Sequence, residues 1–261
     1  MNNYSLYRRA WRFLGAPHQE PQLQKREWKR LLRQGGLLVR NTYNFDCQEE
    51  TKFWFVIKDC FDGLEELSPR VRNKIRHAQT AFDYRLIDQA LLKAKGYPIL
   101  VDTFADYAAT DRTINEADFK AYLDEYQFDY WGVFNKEISE LVGFSCVRRW
   151  TDSCEYDLSG MMTRYKRDGS YPYYGLYHAM NEYYLGEQGF YYVSDGTRSI
   201  TEHSNIHEFL IQNFNFRKAY CHLQVHYNWW MKIAVKVLYP FRRIITIPKI
   251  QAILNMESMQ R

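Results

Sequence analysis

The chain has 261 residues, 46% of them hydrophobic and 17% aromatic, enough for one large domain or two interlocked smaller ones. Its five cysteines (47, 60, 146, 154 and 221) are odd in number and form no C-x-x-C pair, which argues against a disulfide framework or a zinc site. The net charge of +4 is unevenly spread: +6 over residues 1–35, +5 over 229–261 and −7 between them. Basic ends on an acidic body suggest contact with lipid headgroups, tRNA or a glycan phosphate, or else plain solvated tails.

In chain order, "QLQKREWKRLLRQ" (22–34) reads as a short basic helix stopped by Gly35 and Gly36. "LLVRNTYNFD" and "TKFWFVIKD" read as two strands joined in a hairpin by the polar "CQEE". Ser68 as N-cap and Pro69 at the first helical position open "SPRVRNKIRHAQTAF", with Val71, Ile75 and Ala78 on one stripe. A short helix is expected over 87–95, ended by Gly96. Another starts at a Thr113–Glu116 capping box and buries Phe119, Tyr122, Leu123 and Tyr126. "YWGVFN", "ELVGFSCVRRW" and "CEYDLSGMMTR" then form an antiparallel meander. After the loop "RYKRDGSYP" come a helix closed by Gly189, the strand "FYYVSDG", the helix "SNIHEFLIQNF" and the strand "RKAYCHLQVHY". The segment after 228 mixes Trp229, Trp230, Leu238 and Phe241 with Lys232, Lys236, Arg242 and Arg243. That is the composition of a helix lying on a membrane, or of one covering a sheet edge and ended by Pro240. There is no membrane-spanning apolar run and no secretory apolar segment after Met1, so a reducing cytoplasm is expected, with peripheral contact at the inner face of the membrane as an option.

From residue 113 on, the order is helix, three strands, helix, strand, helix, strand: an α/β sandwich on a mixed sheet. This order resembles the GNAT acyltransferase superfamily, with "LSGMMTRYKRDGSYPYYGLYHAM" where that fold runs from its fourth strand through a pyrophosphate loop into a long helix. "FNFRKAY" is similar to its ending, with Asn215 replacing the usual Gly. Asn tolerates the left-handed conformation such a helix end needs. The N-terminal half resembles the FemAB branch, which pairs two GNAT-related folds, through "LSPRVRNKIRHAQTAF". The resemblance implies a mostly antiparallel mixed sheet flanked by helices, with a smaller GNAT-related half over 37–98 and a GNAT-like domain over 99–228. A basic helical segment (1–36) precedes them, and a basic aromatic one (229–261) follows.

It also implies an acyl-group transferase. Arg164, Lys166, Arg167, Gly169 and Ser170 would hold the phosphates of acetyl-coenzyme A or another acyl-coenzyme A. The loop has one glycine instead of the family's Q/R-x-x-G-x-G/A, so side-chain charge would replace part of the backbone cradle. Ile211 stands where many members carry a proton-donating Tyr. For the acceptor's proton, His203 and Glu155 are the candidate bases, with Asp157 on the same sheet face as Glu155. Arg198 and Asn205 are candidates for binding the acceptor, an amine or hydroxyl such as an envelope glycan or lipid precursor. His203/His207 and His222/His226 have helical or strand spacing, but no H-E-x-x-H accompanies them and no metal is expected. Two alternatives stand beside the acyl-coenzyme A reading: FemAB-like aminoacyl transfer from tRNA, and a binding protein that keeps the fold without the chemistry. The oligomeric state is not legible.

Overall fold

The computed structural model describes residues 3–7, 9–105, 114–200 and 205–261. In chain order its elements are strands β1 (Tyr4–Tyr7) and β2 (Ala10–Phe13), helix α1 (Lys25–Arg33), and strands β3 (Leu38–Tyr43) and β4 (Phe53–Lys58). Helix α2 (Pro69–Ala81), strand β5 (Phe82–Ile87) and helices α3 (Gln89–Ala105) and α4 (Glu116–Glu125) follow, then strands β6 (Phe128–Asn135), β7 (Leu141–Arg149) and β8 (Ser153–Met161). The remainder is α5 (Thr163–Arg167), α6 (Pro172–Asn181) with a π-helical turn Glu182–Glu187, β9 (Tyr192–Thr197), α7 (Asn205–Phe214), β10 (Arg217–Tyr227), α8 (Trp229–Leu238) and α9 (Pro248–Gln260). The chain is thus a mixed, mostly antiparallel α/β protein.

It divides into two compact units. The first comprises Met1–Val56, Thr197–Glu208 and Arg217–Arg261, with strand order β1-β2-β3-β10-β4. The expected hairpin of β3 and β4 does not form, because β10 lies between them and pairs antiparallel with β3. The 44–52 connection is long enough to step over that strand and is pinned to it. The Cys47 N–H donates to the Tyr220 carbonyl (3.0 Å), and the Thr51 hydroxyl donates to the Cys221 carbonyl (2.7 Å). Helix α1 buries Leu31 and Leu32 against Val39, and Trp28 stacks on His226 with ring centres 4.8 Å apart.

The second unit, Ile57–Gly196 with Phe209–Phe216, orders its strands β9-β8-β7-β6-β5. Strand β7 is buried along its length up to Arg149, as befits a central strand covered on both faces. On one face, α3 and α4 supply Leu92, Ile99, Phe119 and Leu123 against Phe128, Tyr130, Phe144 and Cys146. On the other, Tyr177 of α6 and Phe216 pack on Tyr156. The sequence missed β5 because Phe82 follows the last residue of α2 with no turn between. Gly96 does not end α3 either. A Cβ there would stand 3.1 Å from the Phe119 ring, so its bareness lets α4 approach while α3 runs on through Pro98. The α4 cap is Asn115, whose side chain accepts from the Asp118 N–H (2.8 Å); Thr113 lies outside the described residues. Asn215 does take the left-handed conformation, with φ 57°.

Between sheet and α6, the buried Tyr156 hydroxyl donates to Asn181 Oδ1 (2.8 Å). Tyr156→Phe deletes the donor and strands a buried carbonyl oxygen, so we expect a loss of about 1–3 kcal/mol in urea-denaturation stability. The Tyr156→Phe, Asn181→Leu double variant should recover part of it.

Candidate active site

The polar centre of the second unit is built at an irregularity in β8. The β7–β8 register pairs Val147 with Tyr156 and then Cys146 with Leu158, leaving Asp157 as the extra residue of a bulge. Bulges re-aim side chains and recur beside functional sites. At this bulge Asp157 is hydrogen-bonded and ion-paired to Arg148; the two side chains are 19% and 8% exposed. Arg148 also lies 4.4 Å over the Tyr126 ring and faces Glu155 across the ladder. Burial alone would lower the guanidinium's pKa, but Asp157, Glu155, Tyr122 and Tyr126 together raise it, so the positive charge is secure.

A third carboxylate joins from β9. The parallel β8–β9 ladder covers only Ser153–Glu155 against Tyr192–Ser194, and Asp195 begins where it stops. Burial, reinforced by Glu155 and Asp157, holds the Asp195 carboxyl well above the ordinary Asp range, although the residue keeps part of its surface accessible. The Glu155 carboxylate lies against Gly196, its Oε2 3.8 Å from where a Cβ would stand. Burial and the Asp157 charge likewise keep the Tyr122 hydroxyl and the Cys146 thiol protonated. The arrangement is one buried cation, two carboxylates opposing it, and a third carboxyl poised to hold a proton.

The structure therefore brings Glu155 and Asp157 together and adds Arg148, Tyr122 and Asp195. From sequence, Asp195 before Gly196 reads as an ordinary turn residue; only its neighbours on β8 give it another character. His203 lies outside the described residues. Arg198 belongs to the first unit, where its N–H donates to the Trp54 carbonyl (2.9 Å). Its guanidinium donates to the Lys52 carbonyl (2.7 Å) and sits 4.4 Å over the Trp54 ring. Asn205 is exposed at the start of α7.

The phosphate-loop candidates occupy the connection from β8 to α6. Arg164 pairs with Glu140 at 3.0 Å and covers the Tyr165 ring. Lys166 and Arg167 share the short α5. Gly169 has a φ of +81° with open space beside it, which a side-chain-bearing residue would not readily adopt. Ser170 is engaged locally: its N–H and its hydroxyl both donate to Asp168 Oδ1, at 2.8 and 2.5 Å. Tyr171, left-handed at φ 56°, precedes α6, with Lys74 Nζ 4.9 Å from its ring centre. No group of residues with metal-binding geometry occurs among the described residues.

A separate polar pair, silent in the sequence, lies at the end of β4. Lys58 is 1% exposed and meets Glu66 at 2.9 Å. His178 of α6, within electrostatic reach of Glu66, is held neutral chiefly by burial.

No protein-family model matches the chain, and no curated protein matches its sequence. Solved structures do match. FemX superposes with a TM-score of 0.58 at 10% identity, over 88% of this chain and 82% of that one. The C-terminal domain of an Agrobacterium fabrum protein assigned as a lysylphosphatidylglycerol synthetase gives 0.53 at 11%, over 90% and 84%. L-PGS from Bacillus licheniformis gives 0.52 at 10%, over 99% and 85%. The fold is GNAT-like and of the FemAB type. Glu155 and Asp157 sit on β8, the strand from which the connection to α6 departs, and Asp195 sits on β9. Ile211 lies on α7.

Asp195 gives the folded protein a definite pH signature. Its raised pKa means the fold favours the protonated carboxyl, so its contribution to stability is complete below the ordinary Asp range and is lost as pH rises through the folded value. Asp195→Asn, a permanent mimic of the neutral form, should gain in melting temperature relative to the unmodified protein as pH is raised. A difference independent of pH would show that the carboxyl is not perturbed.

Proposed function

We propose that the protein is an acyl-group transferase, moving an aminoacyl or acyl group from an ester or thioester donor to an amine or hydroxyl acceptor. The observation that carries this reading is the placement of Asp195, a partly exposed residue whose carboxyl is raised in pKa, where the β8–β9 ladder ends beside Glu155 and the Arg148–Asp157 pair. A carboxylate with a raised pKa is a competent base near neutrality. Asp195 takes the proton from the acceptor N–H or O–H as the acceptor attacks the donor's carbonyl carbon. When the tetrahedral adduct collapses, the same carboxylic acid returns the proton to the leaving oxygen or sulfur. One group serving both steps accords with Ile211 where a separate acid would be expected. Arg148 is ion-paired with Asp157, and burial together with Glu155 and Asp157 raises the Asp195 carboxyl.

For the donor, the Ser170 contacts favour an aminoacyl ester over a coenzyme A thioester. Asp168 occupies the donors that a pyrophosphate would use and sets a carboxylate there, which repels phosphate. The coenzyme A reading would draw on the charge of Lys166, Arg167 and Arg164, the last paired with Glu140. The Agrobacterium fabrum neighbour is the C-terminal domain of a protein named for making lysylphosphatidylglycerol, and this supports a lipid acceptor.

The test is single-turnover transfer from radiolabelled aminoacyl-tRNA pools and, separately, from labelled acetyl-coenzyme A, to a lipid and glycan-precursor extract. We expect transfer from the aminoacyl pool, slowed about 10²–10⁴-fold by Asp195→Asn with donor binding retained. Transfer from acetyl-coenzyme A that is lost in an Arg164→Ala, Arg167→Ala variant would establish the thioester reading instead. No transfer from either would leave the fold without the chemistry.

A further inference from the structure

Of the fifteen large apolar side chains exposed among the described residues, seven fall between 229 and 247: Trp229, Trp230, Ile233, Val237, Phe241, Ile244 and Ile247. They are well exposed, with Trp229 and Ile244 each at 74%. Their placement on α8 is ordered. At 100° per residue, Trp229, Ile233, Val237 and Trp230 share an arc of about 100°, with Lys232 and Lys236 along one edge of it. The opposite side of the helix is taken, since Met231 and Val235 are buried there. Met231, Val235 and Leu238 face Ile253 and Leu254 of α9 across an apolar groove of about 200 Å³. So α8 is held by its inner face, and its outer face is apolar by sequence and not by fraying. Soluble proteins rarely leave a contiguous apolar surface of this kind without a partner.

Charge identifies the partner. From Trp229 to Met256 the chain has five cations, Lys232, Lys236, Arg242, Arg243 and Lys249, and no Asp or Glu. None of Lys232, Lys236, Arg243 and Lys249 makes an ion pair among the described residues. Against a second copy of the same face, five cations would meet five. Against a nucleic acid, the Trp–Ile–Val stripe would be desolvated with no gain from the phosphates. An anionic bilayer satisfies both parts: tryptophans and branched aliphatics enter the headgroup–acyl boundary, and lysines at the edge of the stripe reach the lipid phosphates.

We infer that α8 and the segment to Ile247 form a peripheral docking face for an anionic lipid bilayer, with Trp229, Ile233 and Val237 as the inserted residues and Lys232 and Lys236 as phosphate contacts. The inference stands apart from the proposed transferase activity and needs no acyl donor to be tested. Purified full-length protein is sedimented with vesicles of phosphatidylcholine alone and of phosphatidylcholine with phosphatidylglycerol. Expected is binding to the anionic vesicles that weakens with added salt. Trp229→Ser with Ile233→Ser should abolish it, and Lys232→Gln and Lys236→Gln should each reduce partitioning about fivefold. These positions are exposed, so unchanged melting temperatures will show that the variants fold. Three results would overturn the proposal. One is no binding to anionic vesicles, and a second is binding indifferent to the Trp229/Ile233 change. The third is a dimer in sedimentation velocity that those substitutions dissociate, which would assign the face to a second copy.

Discussion

The guanidinium of Arg148 is the group on which the polar centre of the second unit depends. It sits almost entirely out of water on a buried central strand, among Asp157, Glu155, Tyr122 and Tyr126. A lone cation there would be prohibitively costly, and so would the carboxylates without it. Removing Arg148 would strand Asp157 beside Glu155 and Asp195 with no counter-charge, whereas each carboxylate alone is tolerated because the cation answers it. The bulge in β8 leaves Asp157 as the extra residue of the ladder beside this cation.

Charge is handled differently at the surface of the first unit. On α1, the exposed side carries Lys25, Arg26, Lys29, Arg30 and Arg33 while Leu31 and Leu32 turn inward, an ordinary amphipathic arrangement with a strongly cationic exterior. On α8 the apolar residues occupy both the inner and part of the outer surface. The two helices show two ways a basic segment can be built: charge opposite a buried apolar face, and charge lining the margin of an exposed apolar stripe.

Much of the second unit was legible in the sequence because its signals are local. Ser68 and Pro69 start α2 where capping chemistry says they should, with the Ser68 hydroxyl accepting from the Val71 N–H, and β6, β7 and β8 form the antiparallel meander their apolar runs predict. Asn215 announces its left-handed turn. What escaped was decided at a distance. Strands β1 and β2 are short and partly exposed, with little to mark them. The false hairpin of β3 and β4 could be corrected only by knowing that β10 comes between them. The spacing of Glu155 and Asp157 was visible, but the bulge at Asp157 was not, nor were Arg148 across the ladder and the raised Asp195 carboxyl, which depend on the strand pairing and on burial. Lys58 and Glu66 look like surface residues until the fold closes over them.

The insertion of β10 between β3 and β4 bears on how the protein is made. A ribosome delivers residues 57–196 as one run, which is nearly the whole second unit, so that unit has most of what it needs to condense while synthesis continues. The first unit must wait. Its early strands, β3 and β4, flank an empty lane until Arg217–Tyr227 emerges, and contacts such as Thr51 to Cys221 close loops of great length. During that interval β3 and β4 present unpaired edges, and their own wrong hairpin is the nearest alternative. The polar 44–52 connection is too long for a tight turn, which disfavours that hairpin, and once β10 has arrived Cys47 and Thr51 stitch the connection to it.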